Sequence, residues 1–278
     1  MGEEITTGMP IDLILVRHGH SEGNRALESA EDGDVRLHQD RRYRARSAAD
    51  YRLTAEGRAQ AATAGAWLRS WLDDEGLEGF DRWYCSPFVR TRETAALLGI
   101  DTAQWQLESL LRERDFGLWE GLSKDVAAEM HARSNQMKKR YKFLWRPEAG
   151  ESTADLDLRV REVLATLARE MSGKRVICVT HEDTMRAFRF RLEKMTIEQW
   201  NRQGSSNRLD IVNCGILHYT RRDSSGTVRE RFERVRTIDP SRPDEARWRR
   251  IRRPRFSNED LLAQVERHPH LWDDDEVG

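Results

Sequence analysis

The sequence predicts an α/β fold, a three-layer α/β/α sandwich with a mostly parallel central sheet. Short aliphatic runs, which are typical of buried strands, alternate with longer amphipathic stretches, which are typical of helices. The clearest strand candidates are residues 12–16 and 175–180, and each apolar run stops abruptly at polar or charged residues. This alternation favours strands that are joined by helical crossovers.

Between those two strands the elements follow in order. The charge-dense residues 25–51 predict a surface excursion with some helix. Thr54 is a plausible N-cap of the next helix, because its hydroxyl can accept a hydrogen bond from the first turn. Residues 80–85 predict a second strand, after which Ser86 is placed to cap another helix. Residues 107–111 predict a third short strand.

The second half of the chain continues the alternation. Residues 118–148 have a mostly helical pattern. Apolar residues at helical spacing then follow Thr153, the candidate cap of the clearest helix, which Gly173 ends. Residues 209–219 predict a final strand after the one at 175–180.

Composition limits the range of functions. Charged residues make up 34% of the 278 residues, hydrophobic residues 38%, and the formal net charge is -1. This balance gives no global attraction to nucleic acid or to an acidic membrane surface. Cys85, Cys178 and Cys214 are far apart in apolar contexts, which predicts buried free thiols in a reducing compartment. Because no signal-peptide pattern and no bilayer-length apolar run are present, we expect a cytoplasmic protein.

The last part of the chain has a different composition. Residues 221–256 are dense in arginine, with Trp248 among them, and residues 273–276 are acidic. We expect two units, a main body over residues 1–222 and a charged extension over residues 223–278 that packs on the body or trails from it. Nucleic-acid binding is the sharper interpretation of the basic run, but a solvated extension is favoured.

Residues suited to phosphate chemistry follow several of the predicted strands. Arg17 and His18 end the first strand. Arg90 lies in the first helical turn after the second strand, and His181 directly follows a later one. The carboxyl ends of parallel strands meet at one edge of a sheet, where open α/β folds bind ligands. An arginine beside an imidazole suits a phosphate, and Glu113 lies in a charged segment that could join this edge.

In their order and spacing, the motifs resemble the histidine phosphatase superfamily (branch 1), the phosphoglycerate mutase-like proteins. The matching pieces span residues 11–219, and their combination is highly specific. They are Arg17-His18-Gly19 with Ser21-Glu22-Gly23-Asn24, Leu53-Thr54 with Gly57 and Gln60-Ala61, Ser86-Pro87 with Arg90 and Glu93-Thr94-Ala95, Arg112-Glu113 with Phe116-Gly117 and Trp119-Glu120-Gly121, Gly150-Glu151-Ser152, and Val179-Thr180-His181. The resemblance implies a phosphoglycerate mutase-like fold and says nothing about the arginine-rich extension.

The resemblance also implies roles for individual residues. The histidine that attacks phosphorus and forms a phosphohistidine intermediate falls on His18, which requires a neutral imidazole with one free nitrogen. The proton donor to the leaving oxygen falls on Glu113. The phosphate-binding positions fall on Arg17, Asn24, Arg90 and His181. A protonated His181 would also take part in catalysis as a third cationic donor, and the family chemistry requires no metal and no other cofactor.

One position departs from the family pattern. The family usually places glycine after its second histidine, whereas Glu182 follows His181 in this chain. The carboxylate could point away into the first turn of a helix, where a negative charge is tolerated. It could equally lower the affinity for phosphate, raise the pKa of His181 or select a cationic group on the substrate.

The sequence therefore predicts a metal-independent phosphomonoesterase that acts through His18. The alternatives are a cofactor-dependent phosphoglycerate mutase and a binding or scaffold protein that has lost turnover. The expected partner is a phosphorylated small molecule, a homo-oligomer is compatible with the sequence, and we expect neither membrane nor nucleic-acid binding. Sugar phosphates, nucleotides, cofactor precursors and phosphoproteins all present the same dianion, so the sequence leaves the substrate open.

Overall fold

A computed structural model describes residues 8–203, 211–268 and 270. Its described residues form one sheet of seven strands in the order β3-β2-β4-β1-β5-β6-β7. The strands are β1 (Asp12–Arg17), β2 (Arg82–Cys85), β3 (Trp105–Leu107), β4 (Arg175–Thr180), β5 (Ile216–Thr220), β6 (Arg234–Ile238) and β7 (Arg249–Arg250). Neighbours among β1 to β4 run parallel, and β5, β6 and β7 are added antiparallel. The sheet is therefore mixed, with a parallel half that carries the predicted site.

Helices cover both faces of the sheet. They are α1 (Glu22–Glu31), α2 (Arg36–Gln39), α3 (Arg41–Arg44), α4 (Ala55–Asp74), α5 (Val89–Leu97), α6 (Lys124–Met130), α7 (Ala132–Arg140), α8 (Thr153–Glu170), α9 (Glu182–Leu192), α10 (Ile197–Gln203) and α11 (Asn258–Val265). Successive side chains of a strand point to opposite faces. Leu13 and Leu15 of β1 accordingly join the apolar side chains of α8 and α9 in one core. Ile14 and Val16 join those of α4 and α5 in a second core, which confirms the predicted three-layer α/β fold.

Helix caps agree in part with the sequence. Thr54 caps α4 as predicted, since its hydroxyl accepts a hydrogen bond from the Gly57 amide at 3.2 Å. The cap predicted at Thr153 is wrong by one residue, because Ser152 caps α8 in a reciprocal capping box with Asp155. The cap predicted at Ser86 is also wrong, because Phe88 is the N-cap of α5 and no side chain of the described residues caps that helix, whereas the Ser86 hydroxyl bonds His181.

The strand predicted at residues 107–111 is only partly present. The ladder ends at Leu107, and Ser109–Leu111 forms a 3₁₀ turn. The Glu108 side chain starts that turn by accepting a hydrogen bond from the Leu110 amide at 2.8 Å. A local side-chain bond of this kind competes with strand pairing, and the apolar pattern of Leu110 and Leu111 does not reveal it. The three cysteines are free and buried, as predicted.

Residues of the predicted charged extension build part of the sheet. Strand β6 pairs with β5 along its whole length, with Leu217 opposite Thr237. The predicted boundary at residue 222 therefore falls between two paired strands. Trp248 packs between two arginines of β6, with the guanidinium carbons of Arg234 and Arg236 at 4.9 and 4.5 Å from its ring centre. Two of the arginines in the charged extension thus make cation–π contacts within the fold. None of the helices in residues 8–203 and 211–268 is long and apolar enough to cross a membrane.

Candidate active site

The carboxyl ends of two adjacent parallel strands bring the predicted histidines together. Arg17, the last residue of β1, lies opposite Thr180, the last residue of β4. The next residues are His18 and His181, and their ring centres are 5.2 Å apart in an edge-to-face arrangement. The equal lengths of β1 and β4 therefore place both imidazoles at one point of the sheet edge.

His18 is held as a neutral imidazole. Its side chain is buried, at 4% exposure. Its Nδ1 lies 2.8 Å from the carbonyl oxygen of Gly19. A carbonyl can only accept, so Nδ1 carries the proton and the Nε2 lone pair is free. Burial lowers the pKa of His18 well below its ordinary value, and the positive charges of Arg90 and Arg17 lower it further.

The backbone after His18 is fixed by a close approach of two loops. A Cβ on Gly19 would overlap the backbone of Gly57, and a Cβ on Gly57 would overlap that of His20. The Gly19 amide also donates to Thr94 Oγ1 at 3.1 Å. Only glycine fits at this crossing, which explains why the first and second motifs each contain one. The carbonyl that fixes the tautomer of His18 is itself part of this crossing.

His181 is fully buried and held by a different group. Its Nε2 lies 2.8 Å from Ser86 Oγ, and its Nδ1 has no hydrogen-bond partner among the described residues. Burial lowers the pKa of His181 well below its ordinary value, and the charge of Arg90 adds to this. The structure alone therefore favours neutral His181. These surroundings do not produce the protonated form, and they do not produce the rise in the pKa of His181 that was one of the effects open to Glu182.

The two arginines line the same edge. Arg17 donates through Nη1 to the carbonyl oxygen of Ile211, whereas its buried Nε has no partner among the described residues. Arg90 is buried, at 6% exposure, and its Nη1 donates to the carbonyl oxygen of Ala48 at 2.6 Å. Each guanidinium is thus anchored to the backbone as a cation at the carboxyl edge of β1 and β4. We call the space at this edge, between the two histidines and the two arginines, the pocket.

Asn24 presents its amide nitrogen. It occupies the third position of α1, where its Oδ1 accepts hydrogen bonds from Ser21 N and Ser21 Oγ at 3.1 and 2.9 Å. The Nδ2 of Asn213 donates to the same oxygen at 3.3 Å. With Oδ1 used in this way, the hydrogens on Nδ2 of Asn24 are left for another acceptor.

Asn213 is a residue that sequence reasoning missed. Its Nδ2 donates to the His18 carbonyl oxygen at 3.1 Å as well as to Asn24. The sequence prediction included it in a strand, whereas β5 begins only at Ile216. Because β5 runs antiparallel to β1, the loop before it lies at the carboxyl end of β1. An antiparallel strand at this position would have predicted that Asn213 lies near His18.

Glu113 lies beyond the histidines on an anchored loop. The guanidinium of Arg159 bonds both carboxylate oxygens of Glu151 at 2.8 Å and also donates to the Glu113 carbonyl oxygen at 3.3 Å. The Glu113 Oε1 accepts from the Arg114 amide at 2.9 Å. Burial raises the pKa of Glu113 to about 7, and the negative charge of Asp183 contributes. The acid form of this carboxyl group therefore persists to higher pH than that of an ordinary glutamate.

Glu182 faces the pocket. Its Oε2 lies 2.8 Å from Arg17 Nη2, and its other oxygen contacts Arg186. The next residue, Asp183, lies 3.6 Å from Arg186 and 3.9 Å from Arg114. Of the outcomes that the sequence allowed, turning away from the site is excluded, because the carboxylate contacts a pocket arginine. In residues 8–203 and 211–268, no cluster of three or more His, Cys, Asp or Glu side chains could hold a metal ion.

Known proteins share this sequence pattern and this fold. The pattern of the histidine phosphatase superfamily (branch 1) matches residues 13–231. A 2,3-bisphosphoglycerate-dependent phosphoglycerate mutase of Rhizobium etli is 32% identical over 195 residues, which cover 67% of this chain and 82% of that protein. One of Methylorubrum populi is 34% identical over 190 residues, which cover 66% of this chain and 80% of that protein.

Solved structures agree in fold. A mycobacterial glucosyl-3-phosphoglycerate phosphatase superposes with a TM-score of 0.57 at 23% identity, over 75% of this chain and 92% of that one. A phosphoserine phosphatase of Entamoeba histolytica superposes with a TM-score of 0.56 at 21% identity, over 77% of this chain and 92% of that one. These structures show the shared fold, and the sequence pattern over residues 13–231 together with the similar mutase sequences shows that the chain belongs to the histidine phosphatase superfamily, branch 1.

Proposed function

We propose that the protein hydrolyses a phosphate monoester through a phosphohistidine intermediate on His18. The observation that carries this proposal is the tautomer of that residue. Its Nδ1–H is bonded to the Gly19 carbonyl, and the free Nε2 of a neutral imidazole lies beside two anchored arginines. A nucleophile needs a free lone pair and a fixed orientation, and this site supplies both.

The first step transfers the phosphoryl group to the protein. The Nε2 of His18 attacks phosphorus, the bond from phosphorus to the ester oxygen breaks, and the leaving oxygen takes the proton of Glu113. Arg17 and Arg90 stabilise the charge on the equatorial phosphoryl oxygens. In the second step Glu113, now a carboxylate, takes a proton from water as the water oxygen attacks phosphorus. The N–P bond breaks, phosphate leaves, and both His18 and Glu113 return to their starting forms.

Two buried nitrogens without partners support a phosphate at this place. The Nε of Arg17 and the Nδ1 of His181 are buried without partners in the described part of the chain. A buried polar group without a partner costs about 1–3 kcal/mol. A phosphate dianion would bond such donors and would raise the pKa of His181, so that the expected protonated form belongs to the substrate complex.

A phosphoglycerate mutase is the second candidate. The two similar sequences are phosphoglycerate mutases, and a mutase uses the same histidine intermediate but returns the phosphoryl group to a glycerate. That reaction requires the site to hold a carboxylate together with phosphoryl groups. The Glu182 carboxylate lies beside Arg17, and the negative charge of Asp183 acts on Glu113. These carboxylates lower the affinity for a substrate with several negative charges, which favours hydrolysis of a less charged monoester.

Two rates separate the candidates. Phosphate release from 4-nitrophenyl phosphate and from a panel of monoesters should be readily measured, and it should exceed the interconversion of 2- and 3-phosphoglycerate with added 2,3-bisphosphoglycerate. Faster interconversion than hydrolysis would favour the mutase. If neither reaction occurs and no label from a phosphomonoester stays on the native chain, the scaffold alternative is favoured.

A further inference from the structure

The guanidinium of Arg17 is shared between the phosphate pocket and the first turn of α9. Its Nη1 is bonded to the Ile211 carbonyl and its Nη2 lies 2.8 Å from Glu182 Oε2, whereas its Nε is buried without a partner in the described chain. Arg17 is therefore paired with the Glu182 carboxylate, while its remaining N–H groups, that of Nε among them, are left for a phosphate.

The first turn of α9 also reaches the side where the leaving group departs. Thr184 Oγ1 donates to the Arg112 carbonyl oxygen at 2.8 Å and lies 3.5 Å from Glu113 Oε1. Asp183 lies 3.9 Å from Arg114, the neighbour of the proposed proton donor. Residues 182–184 thus form a wall that runs from Arg17, the proposed phosphate ligand, to Glu113, the proposed proton donor. The alcohol part of a bound substrate would lie along this wall.

The charges of this wall are nearly balanced. Arg186 contacts both Glu182 and Asp183, and Arg114 faces Asp183. Removing the Glu182 carboxylate therefore adds one unit of positive charge beside Arg17 instead of exposing a repulsive cluster. A substitution to glutamine keeps the shape of the side chain and an oxygen acceptor, so it changes the charge and little else.

We propose that Glu182 is a specificity-determining residue: its carboxylate disfavours substrates whose alcohol part carries an anionic group near phosphorus. The site then selects monoesters whose alcohol part is neutral or cationic. The physical basis is Coulomb repulsion between the Glu182 carboxylate and an anionic group on the alcohol part of the substrate, in a partly buried site. The phosphoryl group is the same in all substrates, so it does not contribute to the difference between them. This inference rests on the proposed hydrolysis and names the class of substrate that it acts on.

A matched pair of substrates tests the proposal. Glycerol 3-phosphate and 3-phosphoglycerate share a three-carbon chain and differ by a neutral end against a carboxylate. In the wild-type protein kcat/KM should be higher for glycerol 3-phosphate. In Glu182→Gln the preference should fall by about tenfold, the order of effect expected when one charge is removed from a partly buried site. The ratio is taken within each variant, so a general loss of activity does not affect it.

Controls separate a local effect from a general one. Glu162→Gln makes the same charge change at an exposed position of α8 and should leave the ratio unchanged. An equal ratio in Glu182→Gln and in the wild type would overturn the proposal. If the variant does not fold, the wild-type order ethanolamine phosphate, glycerol 3-phosphate, 3-phosphoglycerate supplies the test, and a reversed order overturns it. No hydrolysis of any of the three would instead count against the proposed function.

Discussion

Strands β1 and β4 are parallel neighbours that both end in a histidine, yet the chain continues differently after each one. After His18 the backbone passes through Gly19, which touches Gly57, and the carbonyl of Gly19 fixes the imidazole tautomer. After His181 helix α9 begins at once, and a side chain, Ser86, holds the ring. Similar strand ends thus hold two imidazoles differently: the proposed nucleophile is held by a backbone carbonyl, and the proposed phosphate-binding histidine by a hydroxyl.

The largest effect should come from replacing each of the two histidines by alanine in turn. His18→Ala removes the nucleophile, so we expect kcat to fall by at least about 10⁴-fold and the phosphoenzyme to disappear. His181→Ala should lose activity but still accumulate some label, because the attacking nitrogen remains. Steady-state rates and single-turnover labelling, with circular dichroism as the check on folding, measure this difference. If the two variants lose labelling to the same extent, His18 and His181 do not have the different roles proposed for them.

The next effect concerns the proton donor. Glu113→Gln should lower kcat for an alkyl phosphate by about 10²–10⁴-fold, and less for 4-nitrophenyl phosphate, whose leaving group needs no proton. A loss that does not depend on the leaving group would show that Glu113 has another role.

The pKa of Glu113 predicts a pH profile. Burial and Asp183 raise this pKa to about 7, and the first step needs the acid form. The kcat/KM for an alkyl phosphate should therefore decline as pH rises through about 7. Asp183→Asn removes a raising charge, so the decline should move to lower pH. An unchanged decline in Asp183→Asn would show that the wall of α9 does not act on the acid.

A smaller effect is expected from the backbone crossing that distinguishes the two strand ends. Gly19→Ala places a methyl group into the Gly57 backbone, and overpacking of this kind costs about 1–3 kcal/mol of unfolding free energy. Gly8→Ala, where a Cβ would make ordinary contacts, is the matched control. Denaturant unfolding measures both. Equal stability of the two variants would mean that the crossing can relax.

The smallest effect should come from Asn213→Ala. It removes one hydrogen bond to the His18 carbonyl and one to Asn24, which is expected to lower kcat by about tenfold at most while the protein stays folded. Asn213→Asp removes the donors and places a carboxylate against the same two oxygens, so it should lose more activity than the alanine variant. Full activity in both would show that Asn213 does not position the site.

Much of the fold followed from the sequence, because aliphatic runs and helix caps are local signals. The runs at 12–16 and 175–180 predicted β1 and β4 closely, and Thr54 was identified as a cap. The 3₁₀ turn at Ser109–Leu111 was missed because a single side chain, Glu108, redirects the backbone there. The strands in the charged extension were missed because half-buried arginines alternate with the apolar Val235 and Ile238 of β6, so the run does not read as an apolar strand.

The site was predictable only where residue type alone limits the chemistry. Arg17, His18, Arg90 and His181 lie together at one sheet edge as the strand order implied. The contact of Glu182 with Arg17, and the contribution of Asn213, depend on side-chain direction and on an antiparallel strand that begins later than its apolar pattern suggested. The neutral state of His181 depends on burial among like charges, which only three-dimensional structure shows.

The position of the phosphoryl group on the trapped intermediate tests whether His18 is the nucleophile. The protein is quenched in base during turnover of a phosphomonoester, and the phosphohistidine is located by peptide mass spectrometry and by ³¹P nuclear magnetic resonance. We expect the phosphoryl group on Nε2 of His18, because the Gly19 carbonyl holds the proton on Nδ1. Phosphorylation of His181, or of Nδ1 of His18, would contradict it.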